Sequence, residues 1–166
     1  MIEILKYDDF ISELFGTIPE IVHKQTNLDH NFLFNIGDDK YVAKCVDLGG
    51  DTWLYKFFHY DLTTQTYSDE MTNIGKTSFR VLSACKEIFT EFTQAFKPKL
   101  IFIICDKNNS SRIRLYDKFC DDICTKCPNL TKKVKDYGIK HVFILHEPSI
   151  NGAFISSKAL QIINTI

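Results

Sequence analysis

Three stretches of this chain hold side chains whose types and spacing could do chemistry. Gly75-Lys76-Thr77 stands just before a helical pattern, as the end of a phosphate-binding loop does. The complete loop needs a glycine five residues before Gly75, so that the backbone can wrap a phosphate. That position is Glu70, whose charge opposes an anion, and nucleotide hydrolysis is therefore not expected. What survives is weaker: the backbone N–H groups of a helix start at this point can hold a phosphate. Cys124-x2-Cys127 followed by His141-x4-His146 has the spacing of a zinc finger with two cysteines and two histidines. Its histidines, however, bracket the apolar run Val-Phe-Ile-Leu, which reads as a buried strand. Residues five apart on a strand point to opposite faces and lie roughly 16 Å apart. They cannot share one ion, so no metal is expected. The third stretch, Asn109-Ser-Ser-Arg-Ile-Arg-Leu-Tyr116-Asp-Lys-Phe, is the most specific. It begins where a buried strand ends and continues into a helix.

The elements that must position these residues can be read from periodicity and punctuation. Apolar residues at Phe10, Ile11, Leu14 and Phe15 predict a short amphipathic helix over residues 7–15, stopped by Gly16 and Pro19. Residues 31–36, 40–48 and 52–60 alternate as strands and are separated by Gly37-Asp38-Asp39 and Gly49-Gly50-Asp51. They predict an antiparallel meander. Residues 61–75 are polar and read as a loop of functional length. Phe79, Leu82, Ile88, Phe89, Phe92 and Phe96 predict a helix beginning near Ser78 and stopped at Lys97-Pro98. Residues 99–105 form an apolar run of the kind covered on both faces. Ser110 or Ser111 would cap the following helix, which carries Ile113, Tyr116, Phe119, Cys120 and Ile123 on one side. Residues 142–145 predict another buried strand, and residues 152–156 a final one.

The whole is one mixed α/β domain over 1–166. At 166 residues it buries roughly 70% of the surface its unfolded chain exposes, so no staple is needed. There are 20 Lys+Arg against 21 Asp+Glu, which gives no general electrostatic reason to bind nucleic acid or anionic lipid. Glu3, Asp8, Asp9 and Glu13 interrupt the N-terminal apolar residues, unlike a secretory signal. No apolar run is long enough to span a bilayer. A cytoplasmic protein with six reduced cysteines is expected, with Cys45, Cys85 and Cys105 as small core residues.

The third stretch resembles the GNAT superfamily of N-acetyltransferases. Members carry an Asn at a strand end, then a helix with Leu-Tyr seven residues later, an acidic residue and Lys. Asn109, Leu115, Tyr116, Asp117 and Lys118 stand at those places. The order of elements is similar too, with a faint first strand over residues 20–26. The motif match covers about eleven residues, and the same helix is similar to that of small bacteriophage proteins of unassigned role. The resemblance implies a GNAT-like mixed sheet: an antiparallel meander, then β-α-β-α-β, with helices on both faces.

It also implies acetyl-coenzyme A held in a cleft between two splayed strands, 52–60 and 99–105, and acyl transfer to an amine. Gly75, Lys76, Thr77 and Ser78 would meet the pyrophosphate, and Asn109 the pantetheine arm. Tyr116 would protonate the departing thiolate, a task that suits a phenol. His59 or Asp61 would be the general base. The chain departs from the family pattern at Thr72 and Thr77 in the phosphate loop and at Cys120-Asp121 after the Leu-Tyr helix. It departs again at Arg112, where a small residue is usual and whose bulk or charge would occupy the cleft. The alternative these departures imply is a catalytically inactive interaction or regulatory protein, phage-encoded and acting on a host factor. Taken without the resemblance, Tyr116 reads as a core tyrosine, Arg112 and Arg114 as a solvated face, and His59 as structural.

Overall fold

The computed structural model describes residues 19–61, 64–68 and 76–166. The helix expected over residues 7–15 lies outside the described residues. Four strands open the fold: β1 (Val22–Thr26), β2 (Asp29–Ile36), β3 (Asp39–Asp47) and β4 (Thr52–Asp61), each antiparallel to the one before. The faint strand at 20–26 is β1, and the expected meander is present. At the β3–β4 turn Gly49, Gly50 and Asp51 all adopt positive φ, a backbone that two adjacent glycines reach without steric cost.

The polar segment after β4 is more than a loop. β5 (Thr66–Ser68) turns back and pairs antiparallel with His59, Tyr60 and Asp61 at the end of β4. The chain then enters α1 (Lys76–Phe96), whose Val81, Ala84, Cys85, Ile88, Phe89 and Phe92 recur at helical spacing and are buried. Lys97, at positive φ, and Pro98 end it. β6 (Leu100–Asp106) is parallel to β4, and is followed by α2 (Ser110–Lys126), β7 (Thr131–Tyr137), β8 (Lys140–His146) and α3 (Gly152–Ile163). Among the described residues the sheet has eight strands in the order β1-β2-β3-β4-β6-β8-β7, with β5 attached to β4.

Two cores sandwich this sheet. On one face α1 and α2 cover Phe34, Ile36, Tyr41, Trp53, Tyr55, Phe57, Ile101, Ile103 and Phe143. On the other, α3 lays Ile155, Ala159 and Ile162 on Leu54, Leu100, Phe102, Val142 and Ile144. Alternation along β4 and β6 explains the division, since odd residues face one helix layer and even residues the other. This is a mixed α/β architecture with helices on both faces of the sheet, and the antiparallel meander leads into it as expected. The described residues contain no helix long and apolar enough to cross a membrane.

Two expectations need correction. Residues 152–156 are not a strand but the start of α3, because Asn151 caps a helix there. Its Oδ1 accepts from the Ala153 backbone N–H at 2.7 Å, and Ile155, Ala159 and Ile162 then share one helical stripe. Conversely, β7 carries no apolar alternation and was not expected. It is an edge strand, exposed along nearly all its length, and its lysines suit an edge that must not pair further.

Candidate active site

β4 and β6 pair only at their beginnings. Thr52, Trp53, Leu54 and Tyr55 stand opposite Leu100, Ile101, Phe102 and Ile103, and there the ladder ends. Both strands continue, β4 to Tyr60 along β3 and β6 to Asp106 along β8. They therefore part, as the cleft expectation required. β5 then attaches to β4 at residues 59–61, which closes the far end of the parting. Residues 56–58 of β4 stand between the two ladders, opposite the last three residues of β6.

α2 aims its first turn at this place. Asn109 is its N-cap: Oδ1 accepts from the Arg112 backbone N–H at 3.2 Å. The cap is thus Asn109 and not Ser110 or Ser111, because the helix already begins at Ser110 and the N-cap is the residue just before it. Arg112 is buried, at 5% exposure, and is not part of a solvated face, although Arg114 is exposed. Its guanidinium carbon lies 5.8 Å from the Phe57 ring centroid and 5.7 Å from that of Tyr116. Phe57 is one of the β4 residues between the ladders, so the cation sits beside the parting of the strands. Its charge also reaches two thiols, Cys85 of α1 and Cys105 of β6. Burial pushes both thiols up, Cys105 to about 11, and the guanidinium only partly offsets it. Neither is a nucleophile at neutral pH.

Tyr116 lies one turn further along α2, at 3% exposure. Its ring packs at 5.9 Å on Phe119 and at right angles to Phe143, 6.4 Å away. His59 follows Phe57 by two residues on the same face of β4, a step of about 6.5 Å. Its Nε2 is 3.4 Å from Asp39 Oδ1 and its ring is 5.1 Å from that of Tyr41. Burial, then the Asp39 charge, pushes the Tyr41 phenol up to about 12. Asp61 closes β4 in register with Thr66. Lys76, Thr77 and Ser78 form the first turn of α1, and Gly75 lies outside the described residues.

Arg112, Phe57 and Tyr116 are therefore gathered at the strand parting, with His59 next along β4. Sequence reasoning missed three participants. β5 has no strand-length apolar signal, and Cys85 and Cys105 approach Arg112 only because three separate elements converge. The zinc-finger spacing resolves into ordinary contacts. Both histidines are on β8; His141 meets Asp136, and His146 Nδ1 donates to the Glu147 carbonyl at 2.8 Å. All six cysteines are free thiols.

No family model matches the chain, and no curated protein matches it. Among solved structures it is similar to the Campylobacter jejuni N-acetyltransferase PseH, determined alone and in complex with acetyl coenzyme A. The TM-score is 0.44 at 13% identity, over 75% of this chain and 72% of that one. It is also similar to the Vibrio cholerae spermidine N-acetyltransferase SpeG, with a TM-score of 0.45 at 7% identity, over 73% of this chain and 66% of that one.

Proposed function

We propose that this chain is an acyl-coenzyme A-dependent N-acyltransferase whose donor lies where β4 and β6 part. The single observation that carries this is a parallel ladder that stops after Ile103 while both strands run on. A pantetheine arm is a chain of amides, and its natural complement is a strand edge with backbone donors and acceptors. The last three residues of β6 and residues 56–58 of β4 offer such edges. The first turn of α1, Lys76–Ser78, presents backbone N–H groups of the kind that hold phosphates. Acetyl-coenzyme A is the donor to test first.

The bound thioester supplies an activated acyl carbon. The amine nitrogen bonds to that carbon and the carbon–sulfur bond breaks, leaving an amide and the thiol of coenzyme A. One amine proton goes to His59 or Asp61, directly or through water, and Tyr116 gives its phenolic proton to the departing sulfur. Asn109 fixes the first turn of α2, and with it the height of Tyr116.

The burial of both Arg112 and Tyr116 favours an alternative, a non-catalytic binding protein on the same fold. Thermal shift with acetyl-coenzyme A separates the two. At a hundredfold excess over Kd a bound donor stabilises by about 2.7 kcal/mol, and the melting temperature rises accordingly. No shift would leave the binding-protein alternative. Where a shift appears, Tyr116→Phe should keep it while thiol release with an amine panel falls about a hundredfold or more. Unchanged turnover would remove Tyr116 from the acid role.

A further inference from the structure

We infer that the outer edge of β7 docks an extended acidic peptide, which adds to the sheet as a further strand and alternates acidic with apolar residues. β8 separates this edge from β6 and the proposed donor site. β7 ends the strand order, and among the described residues its outer side pairs with nothing. The β7–β8 hairpin fixes which backbone groups look outward. Its loop is Gly138-Ile139, with Gly138 at a φ of 59°. In a two-residue loop of this kind the flanking residues, here Tyr137 and Lys140, bond to each other. Tyr137, Lys135 and Lys133 therefore bond to β8, and the N–H and C=O groups of Lys132, Val134 and Asp136 point to solvent. Those are the groups to which an incoming strand bonds.

The side chains set what that strand must carry. Register with β8 places Lys132, Val134 and Asp136 on the α1/α2 face, opposite Leu145, Phe143 and His141. Lys132 is already held by Asp117 and Asp121, and Asp136 by Lys107 and His141. Between these satisfied charges Val134 is 42% exposed, so the residue laid against it is best apolar. On the α3 face the case is reversed. Lys133 and Lys135, opposite Ile144 and Val142, meet no carboxylate among the described residues, and Lys135 Nζ lies 5.0 Å from the Tyr137 ring centroid. α3, the helix over this face, contributes Lys158 and no acid. Opposite charges on neighbouring strands stabilise the pairing, and like charges oppose it. The side chains wanted opposite Lys133, Val134 and Lys135 are therefore acid, apolar, acid. The same rule turns away a second copy of this chain. Two β7 strands paired antiparallel about Val134 would set Lys133 of each against Lys135 of the other. The edge is guarded against itself and open to a strand of opposite charge.

Fluorescence anisotropy of the full chain with a labelled synthetic peptide alternating glutamate and valine tests this. The expected result is saturable binding that weakens as salt is raised. The double variant Lys133→Glu/Lys135→Glu should weaken it by about tenfold or more and bind a lysine–valine peptide instead. Val134→Pro removes the central outward N–H, leaves the bonds to β8, and should abolish binding with the melting temperature little changed. If that variant fails to fold, the charge reversal still decides. No binding of the alternating peptide would overturn the inference. So would equal binding of a peptide with its glutamates and valines in separate blocks, or equal competition by a single-stranded oligonucleotide. Either result would mean attraction for any polyanion in place of strand addition. If sedimentation finds the chain dimeric and Val134→Pro makes it monomeric, the occupant of the edge is a second copy, and the inference fails as well.

Discussion

The two faces of the sheet are built to different rules. The α3 face is aliphatic, with Leu54, Leu100, Val142, Ile144, Ile155, Ala159 and Ile162 around a single phenylalanine, Phe102. The α1/α2 face is aromatic and admits polar groups: His30, Thr93 and Arg112 are all buried there. Tyr55 donates its phenolic proton to Thr93 Oγ1 at 2.7 Å, and Thr93 donates onward to the Phe89 carbonyl at 2.6 Å. His30 Nδ1 is 3.0 Å from His23 Nε2, with Phe92, Phe96 and Trp53 packed around its ring. A buried polar group costs free energy unless it is paired, and these hydrogen bonds supply the pairing. Of the residues between the two ladders of β4, Phe57 faces this aromatic layer. On the proposed function, the α3 side is scaffold and the α1/α2 side borders the donor site.

Substitutions can sharpen that contrast, and the largest expected effect is on the scaffold side. Phe102→Ala empties a fully buried site and should cost about 3–5 kcal/mol in urea unfolding, without altering the affinity of the folded chain for acetyl-coenzyme A. A change in that affinity would mean that the two faces are not independent. On the opposite face Thr93→Val preserves shape but strands the Tyr55 hydroxyl, for a loss of about 1–3 kcal/mol by the same measurement.

Asn109→Ala removes the α2 cap and should cost about 1 kcal/mol. Donor affinity falling further than stability would put Asn109 on the ligand as well. The smallest effect concerns His30, whose pKa is lowered by burial and then by the neighbouring His23. The unfolded chain therefore takes up a proton first, near pH 6.5, and stability is complete above that value. It declines as pH falls below 6.5 towards the lower folded value. Melting curves from pH 5 to 8 should show a shallower acid decline in His30→Gln than in the parent chain; identical slopes would exclude His30.

Where burial on one or two faces was regular, the elements were legible in the sequence. β2, β3 and β4 alternate and are punctuated by Gly37 and Gly49-Gly50, and β6 is a run of apolar residues enclosed on both sides. Elements at the margin were not. β7 carries three lysines and is exposed along nearly all its length, so no apolar alternation marks it, and its Lys132 is instead clamped to α2. Burial alone would lower that ammonium's pKa, but hydrogen bonds to Asp117 and Asp121, at 2.7 and 2.6 Å, hold it above its usual value. α3 was misread because Phe154-Ile155 looks like a strand until Asn151 is recognised as a cap. At the site, Asn109 and Tyr116 were legible as a motif. The inward turn of Arg112 was legible only as a misfit, a long cation where a small residue is usual.

By itself the sequence determined which segments alternate, which run apolar and where each must turn, because those properties are local and follow from backbone geometry and side-chain size. Only the tertiary structure decided that β4 and β6 pair for four residues and then separate, that β5 closes the far end, and that Arg112 comes to rest over Phe57. Those outcomes depend on how distant elements share space. A guanidinium reads as surface in any local window, and only its neighbours from three other elements make it interior.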